Sequence, residues 1–170
     1  MNKKKVNFVV LAGIIAAAYV VLTFVANALN IAYGPIQFRV SEVMTILPIL
    51  SPAAIPGLTI GCFIANLGSP YGAVDIICGT FATFLAALLT YYSRKIIIKN
   101  LPVLSMFFPV IVNAIIIGLE ITLLMPEGFK LTAFLITAFQ IGLGQFVVCY
   151  GLGIPLYFTL KKTNFNKYFS

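Results

Sequence analysis

Long apolar runs dominate the chain, and short polar segments separate them. Four of these runs are long enough to cross a membrane as helices, since one span needs about 20 predominantly apolar residues. They cover residues 6–29, 73–93, 101–125 and 131–160. The last run is longer than one span requires, so we expect it to tilt, kink or extend past the bilayer.

Residues 38–67 are also apolar but contain the turn-forming stretch SPAAIPG. Proline interrupts a helix, so we divide this region into two short helices over residues 38–50 and 53–67. Non-helical backbone exposed to lipid is costly, so the prolines should lie at the interface or be shielded by protein. The pattern predicts an all-α integral membrane protein with six transmembrane helices in one membrane domain, residues 1–170.

Composition and charge placement support a membrane protein and suggest its orientation. The chain is 61% hydrophobic and only 9% charged, whereas soluble domains carry about 25% charged residues. Its basic residues cluster at 3–5, 94–99 and 161–167, each flanking an apolar run. With six spans and a cytoplasmic N-terminus all three clusters are cytoplasmic, whereas five spans would place the last two opposite the first. We therefore expect both termini to be cytoplasmic in the cell membrane. The positive charge fits a bilayer and gives no reason to expect nucleic acid.

Polar side chains within the predicted spans are the candidates for a binding site, because such groups are expensive in lipid and usually face a cavity or a partner. Arg39 and Glu42, at i, i+3, either face a ligand together or form an ion pair that only closes the helix. Asn113 and Glu120, seven apart, share one helix face. The candidate substrate-binding residues are Gln37, Arg39, Glu42, Asn66, Tyr71, Asp75, Asn113, Glu120 and Gln145.

Simpler roles remain open for these residues. The amide and acidic side chains could form only helix–helix hydrogen bonds, and Asp75 could only complement a helix N-terminus. Gln140 and Gln145 point in different directions on the last span, and we favour Gln145 as the ligand contact.

Aromatic residues in two predicted external loops suggest the type of solute. Tyr33 and Phe38 lie in one loop and Tyr71 in the other, so both loops could close over a site in the outer half of the bundle. A carboxylate accepts adjacent N–H donors, amides read ring acceptors, and aromatic faces stack on a planar ring. The pattern favours a small planar solute.

Small residues in the first span offer a surface for close helix packing. Ala12 and Ala16 are four apart, and Gly13 and Ala17 form a second such pair. Such spacing lets another helix backbone approach closely, either within the chain or from a partner subunit.

Several kinds of chemistry have no support in the sequence. It contains no histidine and no GxxxxGK[ST] motif, so no acid–base pair can be named, and any ATP used for transport must be hydrolysed by a partner. Its cysteines show no CxxC spacing and are interpreted as small core residues. We expect no cofactor and no metal.

Four segments of the chain resemble the QueT family of substrate-binding S components of energy-coupling factor (ECF) transporters. The segments are YGPIQFRVSEVMTILPILSPAAIPGLTIGCFIANL, DIICGTFATFLAALLTY, VNAIIIGLE and GLGQFVVCYGLGIPL. The resemblance implies an S-component-like bundle of six helices with a solute site near the outer face. It also implies an ECF transmembrane coupling subunit, docked at Ala12 and Ala16, and two ATPase subunits. The implied solute is a queuosine precursor, a 7-deazaguanine such as preQ0 or preQ1.

Two other functions stay open. One is a stand-alone secondary carrier for a related planar solute or vitamin, and the other is a small membrane enzyme or assembly protein.

Overall fold

The computed structural model describes residues 3–32 and 36–163, and helices make up most of this part of the chain. The helices, in chain order, are α1 (Lys3–Ala28), a 3₁₀ helix (Val40–Ile49), α2 (Ala54–Asn66), α3 (Ala73–Ser93), α4 (Val103–Leu124), α5 (Leu131–Phe146), a π-helical turn (Val147–Leu152) and α6 (Gly153–Lys162). The π-helical turn lies within the long final run, so that run is a continuous helical unit with a local change of winding.

Four helical units are long and apolar enough to cross a membrane: α1, α3, α4 and the unit Leu131–Lys162. Each carries large apolar side chains on its outer surface, including Val10, Phe81, Ile115 and Phe139. The 3₁₀ helix and α2 are each about 20 Å long from their helical rise, shorter than the roughly 30 Å hydrocarbon layer. The structure thus has four candidate spans and two short apolar helices, and six complete crossings stay a prediction.

The 3₁₀ helix lies in the middle of the bundle. It packs against α1, α2, α3, α4, the π-helical turn and α6. Its buried positions include polar ones, Ser41, Glu42 and Thr45, as well as apolar ones such as Leu47. A helix surrounded by protein is buried on all sides and can therefore hold polar groups that lipid would exclude.

The neighbouring helices α1 and α2 run parallel and in very close contact. A Cβ added at Gly57 would lie 2.8 Å from the Ala12 carbonyl oxygen, and one added at Gly61 would lie 2.9 Å from that of Ala16. Ala12 and Ala16 are accordingly buried inside the chain. Small residues spaced in this way can pack within the chain or against a partner subunit, and Ala12 and Ala16 pack within the chain. Gly13 and Ala17, in contrast, are exposed.

Consecutive helices place most of the described basic residues at one end of the bundle and most of the candidate polar residues at the other, and Arg39 and Lys130 are exceptions among the basic residues. The last turn of α3 is fastened to the start of α4 at the basic end, where Thr90 donates to the Ser105 carbonyl at 3.0 Å. At the opposite end, α2 finishes at Asn66 and α3 begins two residues before Asp75. Glu120 is in the last turns of α4, at this same end.

Candidate functional site

The Glu42 carboxylate is bound by side chains from two other helices. The Tyr19 hydroxyl of α1 donates to Oε1 at 2.5 Å, and the Asn113 amide of α4 donates to Oε2 at 3.3 Å. Glu42 is only 1% exposed, so these two neutral donors replace the water it would have outside the protein. Thr23 and Ser41 extend the polar contact between α1 and the 3₁₀ helix through a hydrogen bond of 2.8 Å.

Arg39 forms a buried ion pair with Asp75 in the first turn of α3. Nη2 of Arg39 lies 3.2 Å from Oδ2 and 3.4 Å from Oδ1 of Asp75. The two side chains are 5% and 0% exposed. The i, i+3 spacing of Arg39 and Glu42 is therefore not used for a mutual ion pair, since Arg39 pairs with Asp75 and Glu42 is held by Tyr19 and Asn113.

Asn66 ties the end of α2 to the start of α3. Its Nδ2 donates to the Asp75 carbonyl oxygen at 3.0 Å. A Cβ at Gly79 would overlap the Asn66 amide, so this close approach requires glycine one turn into α3. The loop between Asn66 and Asp75 is thereby fastened at both ends. Asp75 forms the ion pair with Arg39 and also places a negative charge at the N-terminus of α3, where the helix dipole favours it.

Two groups of the candidate site are buried without a partner among the residues that the structure describes. They are the Glu120 carboxyl group, at both oxygens, and Nε2 of Gln37; Oγ1 of Thr80 in α3, outside the candidate set, is a further such atom. Glu120 is 3% exposed and Gln37 is 2% exposed. Most buried polar groups in native proteins are hydrogen-bonded, so a carboxyl group and an amide without partners indicate a place for a ligand or water.

The contact between α4 and α5 sets the relative depth of these groups. A Cβ at Gly118 would meet Ala138, and one at Gly142 would meet Ala114, which shows that the helices are antiparallel. Continuing this register places Gly144 level with Val112, next to Asn113. A Cβ at Gly144 would overlap the Gln37 backbone, so Gln37 also lies near the depth of Asn113.

Glu120 lies farther toward the outer end of α4 than Asn113. The separation is seven residues, or about 10 Å at the helical rise per residue. The candidate groups therefore form two layers. We call the one with Gln37, Glu42, Asn113 and Gln145 the inner layer, and the one with Arg39, Tyr71, Asp75 and Glu120 the outer layer.

Gln145 and a cysteine complete the inner layer. Gln145 is 3% exposed, whereas Gln140 is partly exposed, and a ligand contact at Gln145 stays a prediction. The Cys149 thiol lies 3.7 Å from Oε1 of Gln145 and 3.6 Å from Oγ1 of Thr45. Cys62 and Cys149 are buried free thiols, and Cys78 is partly exposed.

Tyr71, between α2 and α3, belongs to the outer layer. Burial raises the pKa of Tyr71, Asp75 and Glu120 raise it further, and Arg39 lowers it. These charges act on the phenol because all four groups lie near one another. Tyr33, which the sequence places in the other external loop, falls outside the described residues, as do Gly34 and Pro35.

The structure thus brings the sequence-predicted polar residues to one half of the bundle. Asn66 differs from the others because its amide nitrogen donates to the Asp75 carbonyl oxygen and to the Cys62 sulfur, which makes it a link between helices. Tyr19 was missed from the sequence. Its only signal was a tyrosine in the middle of an apolar span, where a hydroxyl group needs a partner.

Comparisons with known proteins give the family. The sequence model described as "QueT transporter" matches residues 9–162. The "Queuosine precursor transporter QueT" of Lactococcus lactis subsp. cremoris (strain MG1363) is 41% identical over 85 residues, which cover 50% of each chain. The matched part thus spans half the length of this relative. No solved structure matches. Since the family match covers most of the sequence, this chain belongs to the QueT transporter family.

Proposed function

We propose that this chain captures a queuosine precursor, a 7-deazaguanine, from outside the cell as the substrate-binding subunit of an ECF importer. The observation that carries the proposal is a pair of buried groups, Nε2 of Gln37 and the Glu120 carboxyl group, which have no partner in the described part of the chain and lie in a polar cluster surrounded by apolar helices. The name of the Lactococcus relative supports this class of solute.

The chemistry of the inner layer suits the polar edge of a guanine-like base. The Gln37 amide offers an N–H donor for a ring carbonyl oxygen, and the Gln145 side chain has both a donor and an acceptor. Glu42 can accept further N–H donors, since a carboxylate has more acceptor sites than its two bonds to Tyr19 and Asn113 use. Together these groups complement an edge that has adjacent donors beside a carbonyl.

The position of the site supports capture from outside. The outer layer lies at the end of the bundle opposite Lys3, which begins α1, Arg94, which follows α3, and Lys162, which ends α6. If the basic end is cytoplasmic, as the distribution of lysine and arginine favours, the two layers lie in the external half. Both termini are then cytoplasmic, and Tyr71 lies where a loop can cover the solute.

The proposed partners are an ECF transmembrane coupling subunit and two ATPase subunits. Because Ala12 and Ala16 are covered by α2, the exposed pair Gly13 and Ala17 is the better candidate for close approach of the coupling subunit. The energy source would then be ATP hydrolysis in the partners.

Isothermal titration of the purified full-length chain with preQ0, preQ1, guanine and adenine tests the proposed solute class. We expect one of the 7-deazaguanines to bind tightest and adenine to bind weakest. Gln37→Leu should weaken the binding by about fivefold to tenfold, the usual worth of one hydrogen bond. Glu127→Gln is the matched control, since Glu127 is exposed in a loop. Lack of binding to all four compounds would refute the proposed solute class.

Uptake measurements separate the coupled importer from a stand-alone carrier. Proteoliposomes with the chain alone should bind solute without accumulating it, and accumulation should require the coupling and ATPase subunits together with ATP. Accumulation by the chain alone would favour the secondary carrier.

A further inference from the structure

Among the described residues, Glu120 is the acidic residue of the cluster whose carboxyl group has no hydrogen-bonding partner. Asp75 is paired with Arg39, and Glu42 receives hydrogen bonds from Tyr19 and Asn113. Neither carboxylate oxygen of Glu120 has a partner among the described residues, although the residue is 3% exposed. Leaving a carboxylate in this state is costly unless something brings it a positive charge or a donor.

The charges of the cluster point to the sign of the missing group. The two layers contain three buried acidic residues, Glu42, Asp75 and Glu120, and one buried basic residue, Arg39. Because Arg39 is hydrogen-bonded to Asp75, the cluster has an excess of acidic groups, and no basic group among the described residues is hydrogen-bonded to Glu120.

We propose that Glu120 binds a primary ammonium group of the solute, so that the chain prefers a cationic 7-deazaguanine over a neutral one. This inference rests on the proposed function and assigns a residue to one part of the solute. The aminomethyl group of preQ1 provides such a cation, whereas the nitrile of preQ0 does not. Asp75 is a less suitable partner, because its carboxylate is occupied by Arg39.

The two layers give the solute a direction in the site. The ring edge meets the amide and carboxylate groups of the inner layer, and the substituent on the five-membered ring points outward to Glu120. Seven residues of α4 separate Asn113 from Glu120, about 10 Å along the helix axis. Tyr71, half-buried beside the same acidic groups, lies where it can cover the ammonium.

The test compares preQ1 with preQ0 on the full-length chain, wild type and Glu120→Gln, by isothermal titration. We expect the wild type to bind preQ1 about 10- to 100-fold more tightly than preQ0, the range for a hydrogen bond to a charged group. Glu120→Gln should lose most of this preference while its affinity for preQ0 changes by no more than about twofold. Glu120→Asp, which keeps the charge, should retain a preference for preQ1.

Three outcomes would overturn the assignment. The first two are equal wild-type affinities for preQ0 and preQ1, and an equal loss of affinity for both solutes in Glu120→Gln. The third is tight binding of preQ0 that requires Na⁺ and is lost when choline replaces it, which would make Glu120 a site for an inorganic cation. If Glu120→Gln does not fold, the wild-type comparison and Glu120→Asp still decide the question. Failure of both solutes to bind the wild type refutes the proposed solute class instead, so the two ideas fail in different ways.

Discussion

The Tyr19 hydroxyl donates a 2.5 Å hydrogen bond to the Glu42 carboxylate across 23 residues of sequence. The bond joins a long helix at the edge of the bundle to the short 3₁₀ helix at its centre. Tyr19 and Glu42 are each 1% exposed. A bond between two such groups fixes the orientation of the carboxylate, and Glu42 is thereby held toward Asn113 and the inner layer.

Removing this hydroxyl should destabilise the folded chain. Tyr19→Phe leaves Oε1 of Glu42 buried without its donor, which costs about 1–3 kcal/mol. We expect a lower thermal unfolding temperature in detergent, measured by intrinsic fluorescence or light scattering, and weaker solute binding. Tyr92→Phe is the control, because Tyr92 is 73% exposed and should unfold like the wild type. Equal unfolding temperatures for Tyr19→Phe and the wild type would show that the bond contributes nothing to stability.

Removing one partner of the Arg39–Asp75 ion pair should destabilise the folded chain more than removing both partners. Asp75→Asn leaves a buried guanidinium without its carboxylate, and Arg39→Met leaves a buried carboxylate, each costing about 3–5 kcal/mol. The double variant Arg39→Met/Asp75→Asn removes both charges and should be closer to the wild type than the sum of the single changes. Unfolding temperatures of the four proteins form a double-mutant cycle. Strict additivity would contradict a direct interaction.

The long helices could be predicted from the sequence, because the cost of exposing backbone polar groups to lipid makes any long apolar run helical. For this reason the predicted 73–93 coincides with α3, Ala73–Ser93. The 3₁₀ winding of Val40–Ile49 and the π-helical turn could not be predicted, because both depend on contacts with several surrounding helices. The apolar character of that region could be predicted, but its hydrogen-bonding pattern could not.

Candidate site residues could be predicted for a similar reason, since polar groups are rare in apolar spans and each requires an explanation. Their partners could not. Arg39 and Asp75 are 36 residues apart and Glu42 and Asn113 are 71 apart, so only the packing of the helices decides which groups meet. The spacing of Arg39 and Glu42 allowed either a mutual ion pair or a shared ligand, and the structure instead pairs Arg39 with Asp75.

Adding a single methyl group in the α1–α2 contact should destabilise the bundle. In Gly57→Ala the new Cβ would lie 2.8 Å from the Ala12 carbonyl oxygen and 2.9 Å from Cβ of Ile15. Backbone must move to relieve the overlap, at a cost of about 1–3 kcal/mol. Gly13→Ala is a matched control in a helix, because nothing lies within 4 Å of its added Cβ. The unfolding temperature should fall for Gly57→Ala and stay the same or rise slightly for Gly13→Ala.

Leucine substitutions at two adjacent alanines of α1 should separate folding from assembly. Ala17 is exposed, so Ala17→Leu should keep the wild-type unfolding temperature and solute affinity but reduce co-purification with the coupling and ATPase subunits. Ala16 is 7% exposed, and its backbone faces Gly61 of α2, so Ala16→Leu should overpack this contact and lower the unfolding temperature even without partners. Normal assembly of Ala17→Leu would place the docking surface elsewhere on the chain. A stable Ala16→Leu protein that fails to assemble would instead restore Ala12 and Ala16 as the docking pair, since α2 would then have to move aside to expose them.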